Sequence, residues 1–217
     1  MSTPTGIGMT SDRTRGRMVD ALRKSGIRDE RVLAAMIEIT RHLFVEAVIA
    51  SRAYEDTPLP IGHGQTISSP TIVALMTQLL LEKATPAKVL EIGTGCGYQT
   101  AVLAKLVKEV YTLERIAQLM DKARRHLRDL RFYNVRFKNA DGHAGYPEGG
   151  PYDAILCAAS ASHVPPALKE QLAVGGRLVL PVGVGEQWLY VIDRTEKGLT
   201  EQKREAVRFV PLLPGLA

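Results

Sequence analysis

The densest chemical information in the chain lies in the run Glu91-Ile92-Gly93-Thr94-Gly95-Cys96-Gly97. Its glycines leave a strand-like segment and enter a helical one. Glycine lets the backbone turn sharply and lets a ligand come close to the main chain, and ligands of open α/β sheets bind at such turns. Alone, a turn of this kind does not choose among NAD, FAD and other nucleoside ligands. Two neighbours choose. The dinucleotide pattern G-x-G-x-x-G wants a glycine or alanine where Tyr98 stands, and a ring there obstructs close helix–strand contact. Glu91 places a carboxylate just before the turn, which repels a pyrophosphate but suits a cationic ligand. S-adenosylmethionine has no phosphate and carries a sulfonium and an ammonium, so it is the reading these residues favour.

Two further acids follow at strand ends. Glu114 closes the second strand-like run, where a carboxylate can accept hydrogen bonds from both hydroxyls of a ribose. NAD and S-adenosylmethionine proteins share that position, so Glu114 supports a nucleoside without deciding between them. Asp141-Gly142 follows the third run and reads either as a plain turn or as a carboxylate on the adenine side of the cleft.

These residues need a scaffold, and the periodicity supplies one. Strand-like runs occur at 88–92, 109–113, 135–138, 152–157 and 176–181, with helical segments at 99–107, 116–130 and 166–172 between them. Strand and helix alternating at this cadence predict parallel crossovers and a doubly wound, mostly parallel seven-stranded sheet. The runs 188–193 and 205–210 have no helix between them and are expected to pair as an antiparallel edge. Upstream, 18–25 and 29–40 read as short helices, the second capped by Asp29 with Val32, Leu33, Met36, Ile37 and Ile39 on its apolar face. A loop is expected over 52–65, then a helix over 70–81 with Ser69 as cap and Pro70 in its first turn. Residues 1–16, rich in Ser, Thr, Gly and Arg, are expected to be disordered. The domain reading is a single unit over 17–217, helical to residue 81 and an α/β core from 82 onward.

Bulk composition narrows the classes. The chain has 217 residues, 45% hydrophobic and 24% charged, which is ordinary for one globular domain. Cys96 and Cys157 cannot build a disulfide framework and have no zinc-ligand spacing around them, so no metal is expected. The opening residues lack the apolar core of a signal peptide, and the longest apolar stretch, Ile72 to Leu81, is too short to span a bilayer. A cytoplasmic protein without a membrane partner is expected. The net charge of +5 sits largely in the run Lys122 to Arg131, whose spacing sets the bases opposite Ala123, Leu127 and Leu130. That is a solvated helix face, without the interleaved aromatics of a nucleic-acid stripe.

At this point the chain resembles a known family. VLEIGTGCGYQTAVLA (89–104) is similar to the first motif of protein-L-isoaspartate O-methyltransferases, and GQTISSP (64–70), GGRLVLPVG (175–183) and VRFVPL (207–212) resemble further stretches of it. The resemblance runs from about Met18 to the end. It implies methyl transfer from S-adenosylmethionine to the α-carboxylate of L-isoaspartyl residues in damaged proteins and peptides, giving an ester that closes to a succinimide and so begins repair. It implies cofactor contacts from Glu91, Gly93, Thr94, Gly95, Gly97, Glu114, Asp141 and Gly142. The family's active-site serine falls on Ser68, with Thr66 beside it; Val210 would lie against the peptide, and Gln187 would reach the cofactor or a lid. A monomer is expected. His63, Ser69, Cys96 and Ala140 depart from the family's usual residues.

The residues alone leave Ser68 open between helix capping and substrate contact, although Ser69, next to Pro70, is the better placed cap. Val210 is likewise open between an ordinary edge strand and a peptide contact. A carboxylate acceptor is already ionised at neutral pH, so the site needs alignment more than a general base. The competing readings are a methyltransferase acting on RNA or a small metabolite, a binding protein on the same fold, and a dehydrogenase.

Overall fold

In the computed structural model, which describes residues 8–217, the chain opens with helix α1 (Asp12–Lys24). Ser11 caps it by accepting from the Thr14 amide, and Met18, Val19 and Leu22 are buried. Residues 8–16 are therefore ordered, with a 3-10 turn at Gly8–Thr10, the Ser11 cap and the first residues of α1: the cap and the reach of Arg15 to Thr40 (3.1 Å) fasten this part to the body. The rest of that expectation, at residues 1–7, lies outside the described residues. Helix α2 (Glu30–Glu38) starts after its Asp29 cap and stops two residues before Thr40, where Ile39 turns extended; Ile37, expected on the apolar face, is exposed.

The expected loop over 52–65 holds an antiparallel hairpin, β1 (Leu59–Gly62) and β2 (Gln65–Ile67), turning at His63 and Gly64 with φ of 53° and 68°. Its prolines and glycines resemble loop punctuation, but this is a two-stranded sheet that tolerates Pro60 because both strands are edges. Helix α3 (Pro70–Leu81) has the predicted bounds, with the Ser69 hydroxyl accepting from Ile72 N.

The core alternates thereafter: β3 (Lys88–Ile92), α4 (Tyr98–Leu106), β4 (Glu109–Glu114), α5 (Ala117–Asp129), β5 (Val135–Asn139), β6 (Tyr152–Cys157), α6 (Pro166–Glu170), β7 (Leu172–Val182), β8 (Gln187–Thr195) and β9 (Gly198–Val207). These strands form the seven-stranded sheet in the order β5-β4-β3-β6-β7-β8-β9. Pairing is parallel from β5 through β7 and antiparallel for β7–β8 and β8–β9. Successive side chains of a strand face opposite ways. Val89, Val110, Leu156 and Val179 accordingly pack with α3 and α4, while Leu90, Ile92, Ile155 and Leu178 pack with α6 on the other face.

The last strand differs from expectation. It spans 198–207, and residues 208–212 leave the sheet to cross the carboxyl ends of the strands. Both sides of the Gln187 amide hold the Phe209 backbone, accepting from its N–H (2.6 Å) and donating to its carbonyl (3.2 Å). Ser160 then receives the segment, donating its amide to the Val210 carbonyl (2.8 Å) and accepting from Leu212 N (2.7 Å). Among the described residues no helix is long and apolar enough to cross a membrane.

Candidate active site

The strand order reverses at β3, so a crevice opens at its carboxyl end between β4 and β6. The chain there is drawn toward β4, with Gly93 N and Thr94 N both donating to the Leu113 carbonyl (2.9 and 3.1 Å). The resulting cavity, about 930 Å³ including its open mouth, is closed on the near side by the β1–β2 hairpin and on the far side by Val210 to Leu213. Of the predicted site residues, the structure brings Thr66, Ser68, Gly93, Thr94 and Gly95 to this wall. Glu114, Gly142 and Val210 join them.

Glu114 is the wall's carboxylate. One oxygen accepts from Gly95 N (2.9 Å) and the other from Ile116 N (3.0 Å), which orients the group and leaves it 7% exposed. A carboxylate offers about four acceptor sites, so two remain for ligand hydroxyls. Among the described residues the wall's only cation is Arg115, and its guanidinium is held by the carbonyls of Gly215 (2.9 Å) and Pro214 (3.3 Å). One fixed acid and no available cation fit a nucleoside without a pyrophosphate, and S-adenosylmethionine meets that description. Gly142 brings the backbone against β3: a Cβ there would stand 2.3 Å from Cγ2 of Ile92.

Three predicted contacts lie off the wall. The alternation of β3 turns Glu91 beneath α4, where it is fully buried and accepts from the hydroxyls of Thr100 (2.5 Å) and Thr112 (2.6 Å). Among the described residues its other oxygen has no partner, and burial raises its pKa to about 8. The charge argument drawn from Glu91 therefore does not hold in the direct form expected; its Thr112 partner meets Thr94 at 2.6 Å, so it braces the turn from behind. Gly97, at φ 91°, caps α4 and lets it approach α5, where a Cβ would meet that of Ala123 at 3.2 Å. Asp141 binds His143 N (2.9 Å) and Gly215 N (2.7 Å), tying down the end of the chain. Gln187 also lies elsewhere, holding Phe209 as described.

Ser69 does the capping, and among the described residues no group hydrogen-bonds the Ser68 hydroxyl. The Ser68 carbonyl, by contrast, is gripped by Arg41 (2.7 Å), which also donates to the Ala53 carbonyl (2.7 Å) and lies 4.7 Å over the Tyr98 ring. Arg41 is wholly buried, and desolvation lowers its pKa. Tyr98 itself is wedged between Arg41 and Phe44, filling the place a dinucleotide fold keeps for a small residue. Sequence reasoning passed over Arg41. Its available signal was an arginine inside the short apolar-flanked segment RHLF. The leaving of the sheet by residues 210–213, which adds Leu212 and Leu213 to the wall, was also missed. Burial pushes the thiols of Cys96 and Cys157 up to about 11 and 12, so neither is a nucleophile at neutral pH. Of the departures from the family's usual residues, Cys96 and Ala140 line the cavity, while His63 is exposed at the hairpin turn.

A reversed strand order, a glycine turn at the carboxyl end of β3 and an acid fixed at the end of β4 together define a class I S-adenosylmethionine-dependent methyltransferase. The chain matches the family described as protein-L-isoaspartate(D-aspartate) O-methyltransferase over residues 13–216. Among proteins similar to it, a protein-L-isoaspartate O-methyltransferase of Dechloromonas aromatica is 60% identical over 97% of this chain and 98% of that one. One of Methylobacillus flagellatus is 58% identical over 97% and 96%. A crystal structure from Plasmodium falciparum, described as a putative protein-L-isoaspartate O-methyltransferase in complex with S-adenosyl-L-homocysteine, superposes with a TM-score of 0.81. It is 28% identical and covers 92% of this chain and 98% of that chain. The chain belongs to the protein-L-isoaspartate O-methyltransferase family and is an S-adenosylmethionine-dependent protein carboxyl methyltransferase.

Proposed function

We propose that this chain methylates the α-carboxylate of L-isoaspartyl residues in proteins and peptides, with Ser68 and Thr66 orienting that carboxylate at the cavity mouth. The observation that carries the reading is the Ser68 hydroxyl: it borders the cavity with no partner among the described residues, while its carbonyl is anchored by a buried arginine. When bound, S-adenosylmethionine supplies an electrophilic methyl group on a sulfonium.

The chain's own residues do the rest. Glu114 accepts from the ribose hydroxyls, and the main chain from Gly93 to Gly95 lies along the ligand. Gly142 admits the adenine, and Leu212 and Leu213 cover it. Ser68 and Thr66 donate to one oxygen of the acceptor carboxylate, so that the other faces the methyl group, and the Val210 backbone lies along the peptide. No proton has to leave an ionised carboxylate, so alignment rather than base catalysis is the residues' main task. Glu91 and Gly97 act on the cofactor only through the turn they brace. Asp141 acts through the chain end it ties.

The chain acts as a single unit that takes in all of α1 from Asp12, as a cytoplasmic monomer without nucleic-acid or membrane partners. In support, the basic run on α5 leaves Arg125 and Arg128 facing water while Ala123 and Leu127 pack inward, and Lys122 pairs with Glu46. The test offers paired peptides that differ only in aspartate against isoaspartate, with labelled S-adenosylmethionine. A base-labile ester on the isoaspartyl peptide alone is expected. Label on neither peptide but on bulk RNA would overturn the reading.

A further inference from the structure

A second hollow, of about 370 Å³ including its open mouth, lies against the first at Ser68. The two share Thr66, Ser68, Ala158 and Val210, so a chain that enters the first past Ser68 can rest its remainder in the second. Most of this second wall is apolar or hydroxylic, with Pro58, Ile72 and Phe209 among its residues, and no carboxylate lines it. Its one charged side chain among the described residues is Arg208. Among the described residues the Arg208 guanidinium has no hydrogen-bond or ion-pair partner. Nearby cations are engaged: Arg204 pairs with Glu82 at 3.5 Å and Lys203 sits 3.7 Å over the Trp188 ring. Arg208 follows directly on the last strand and precedes the Phe209 backbone that Gln187 clamps on both sides, so its Cα is held even though its side chain is exposed.

We propose that Arg208 is a specificity-determining residue that reads the charge of the side chains flanking the isoaspartyl residue and favours acidic ones. This rests on the proposed function, because it takes the hollow as the bed of the acceptor peptide. The reacting carboxylate has to meet the donor where the two cavities join, at Ser68, which places the neighbouring residues of the peptide over Arg208. An exposed guanidinium and an exposed carboxylate attract modestly, worth up to about fivefold in affinity. That suits selection among many damaged proteins, which requires a bias rather than an absolute filter. A guanidinium also suits a flanking carboxylate better than the reacting one, since a bidentate pair occupies the oxygen lone pairs that must attack the methyl carbon.

The experiment compares three isoaspartyl peptides identical except for flanking glutamate, glutamine or lysine on both sides. With labelled S-adenosylmethionine, kcat/KM is measured for the unmodified enzyme and for Arg208→Lys, Arg208→Gln and Arg208→Glu. In the unmodified enzyme the glutamate-to-lysine ratio is expected to be about two to twenty-five, attraction of glutamate and repulsion of lysine each contributing up to about fivefold. Arg208→Lys keeps its direction, Arg208→Gln brings it close to one and Arg208→Glu inverts it. The ratio also shrinks as salt rises from about 0.05 to about 0.5 M, since exposed pairs are screened. A ratio that is the same in the unmodified enzyme and in Arg208→Glu overturns the proposal. So does an equal loss on all three peptides, which would put Arg208 on the reacting carboxylate or in the scaffold. No methylation of any isoaspartyl peptide by the unmodified enzyme would remove the parent reading as well; methylation with an unmoved ratio removes this inference alone.

Discussion

Replacing Glu114 with alanine separates what its carboxylate does for the fold from what it does for the ligand. In the structure its two oxygens hold Gly95 N (2.9 Å) and Ile116 N (3.0 Å), and the residue lines the cavity with two acceptor sites unfilled among the described residues. If those sites take the two ribose hydroxyls, each bond to a charged acceptor is worth about 1.5–3 kcal/mol, and the pair, being non-additive, about 3 kcal/mol. Glu114→Ala should then weaken S-adenosylhomocysteine binding on the order of 100-fold by calorimetry. The bonds to the two amides are a separate loss, read as a fall in unfolding free energy of about 1–2 kcal/mol without ligand. A double-mutant cycle isolates the ligand part, using a S-adenosylhomocysteine analogue that lacks both ribose hydroxyls. Losing the hydroxyls should cost the unmodified protein about 100-fold and the alanine variant almost nothing, a coupling of about 2–3 kcal/mol. Glu114→Gln should fall between, because its amide nitrogen must face a backbone N–H or a hydroxyl it cannot accept from. The reasoning is refuted if hydroxyl removal costs both proteins the same.

Ser68→Ala should lower kcat by about ten- to a hundredfold, the worth of one hydrogen bond to a charged group, while S-adenosylhomocysteine affinity moves less than about threefold; equal losses of both would assign Ser68 to the cofactor or to folding. Glu91 makes a pH prediction. Its carboxyl titrates near 8 in the folded protein against an ordinary 4.5, so between those values the folded state keeps a proton the unfolded chain has released. Stability therefore falls as pH rises through that window, by at most about 1.4 kcal/mol per pH unit, and Glu91→Gln should flatten the slope of urea-unfolding free energy against pH. An unchanged slope would show that Glu91 is already ionised in the fold. Arg177 is 5% exposed and holds Asp193 through two bonds (2.8 and 3.1 Å), joining β7 to β8, and it also donates to the Leu79 carbonyl (2.7 Å). Arg177→Met should cost about 3 kcal/mol in urea unfolding, the low end for a broken buried pair because Lys83 still reaches Asp193; a loss below about 1 kcal/mol would mean Lys83 alone satisfies that carboxylate.

The order of elements from α3 onward, the glycine turn and the acid at the end of β4 were legible in the sequence by itself, whereas the β1–β2 hairpin was not. Each is written locally: short β-branched and apolar runs mark β3 and β4, Gly93 and Gly95 stand where the chain must take positive φ, and Ser69-Pro70 announces α3. The tertiary structure alone decided which acids face the cavity. Glu91 and Glu114 look equivalent along the chain, yet one falls on the face of the sheet that α4 covers and the other at an open strand end. The same holds for Arg41, which grips Ser68 across 27 residues of chain, and for the departure of Val210 to Leu213 from the sheet to wall the cavity. Local spacing encodes periodicity and turns, because those depend on neighbouring residues. Whether a side chain ends in a core or at a ligand depends on which distant segment packs over it, and the packing of the whole chain settles that.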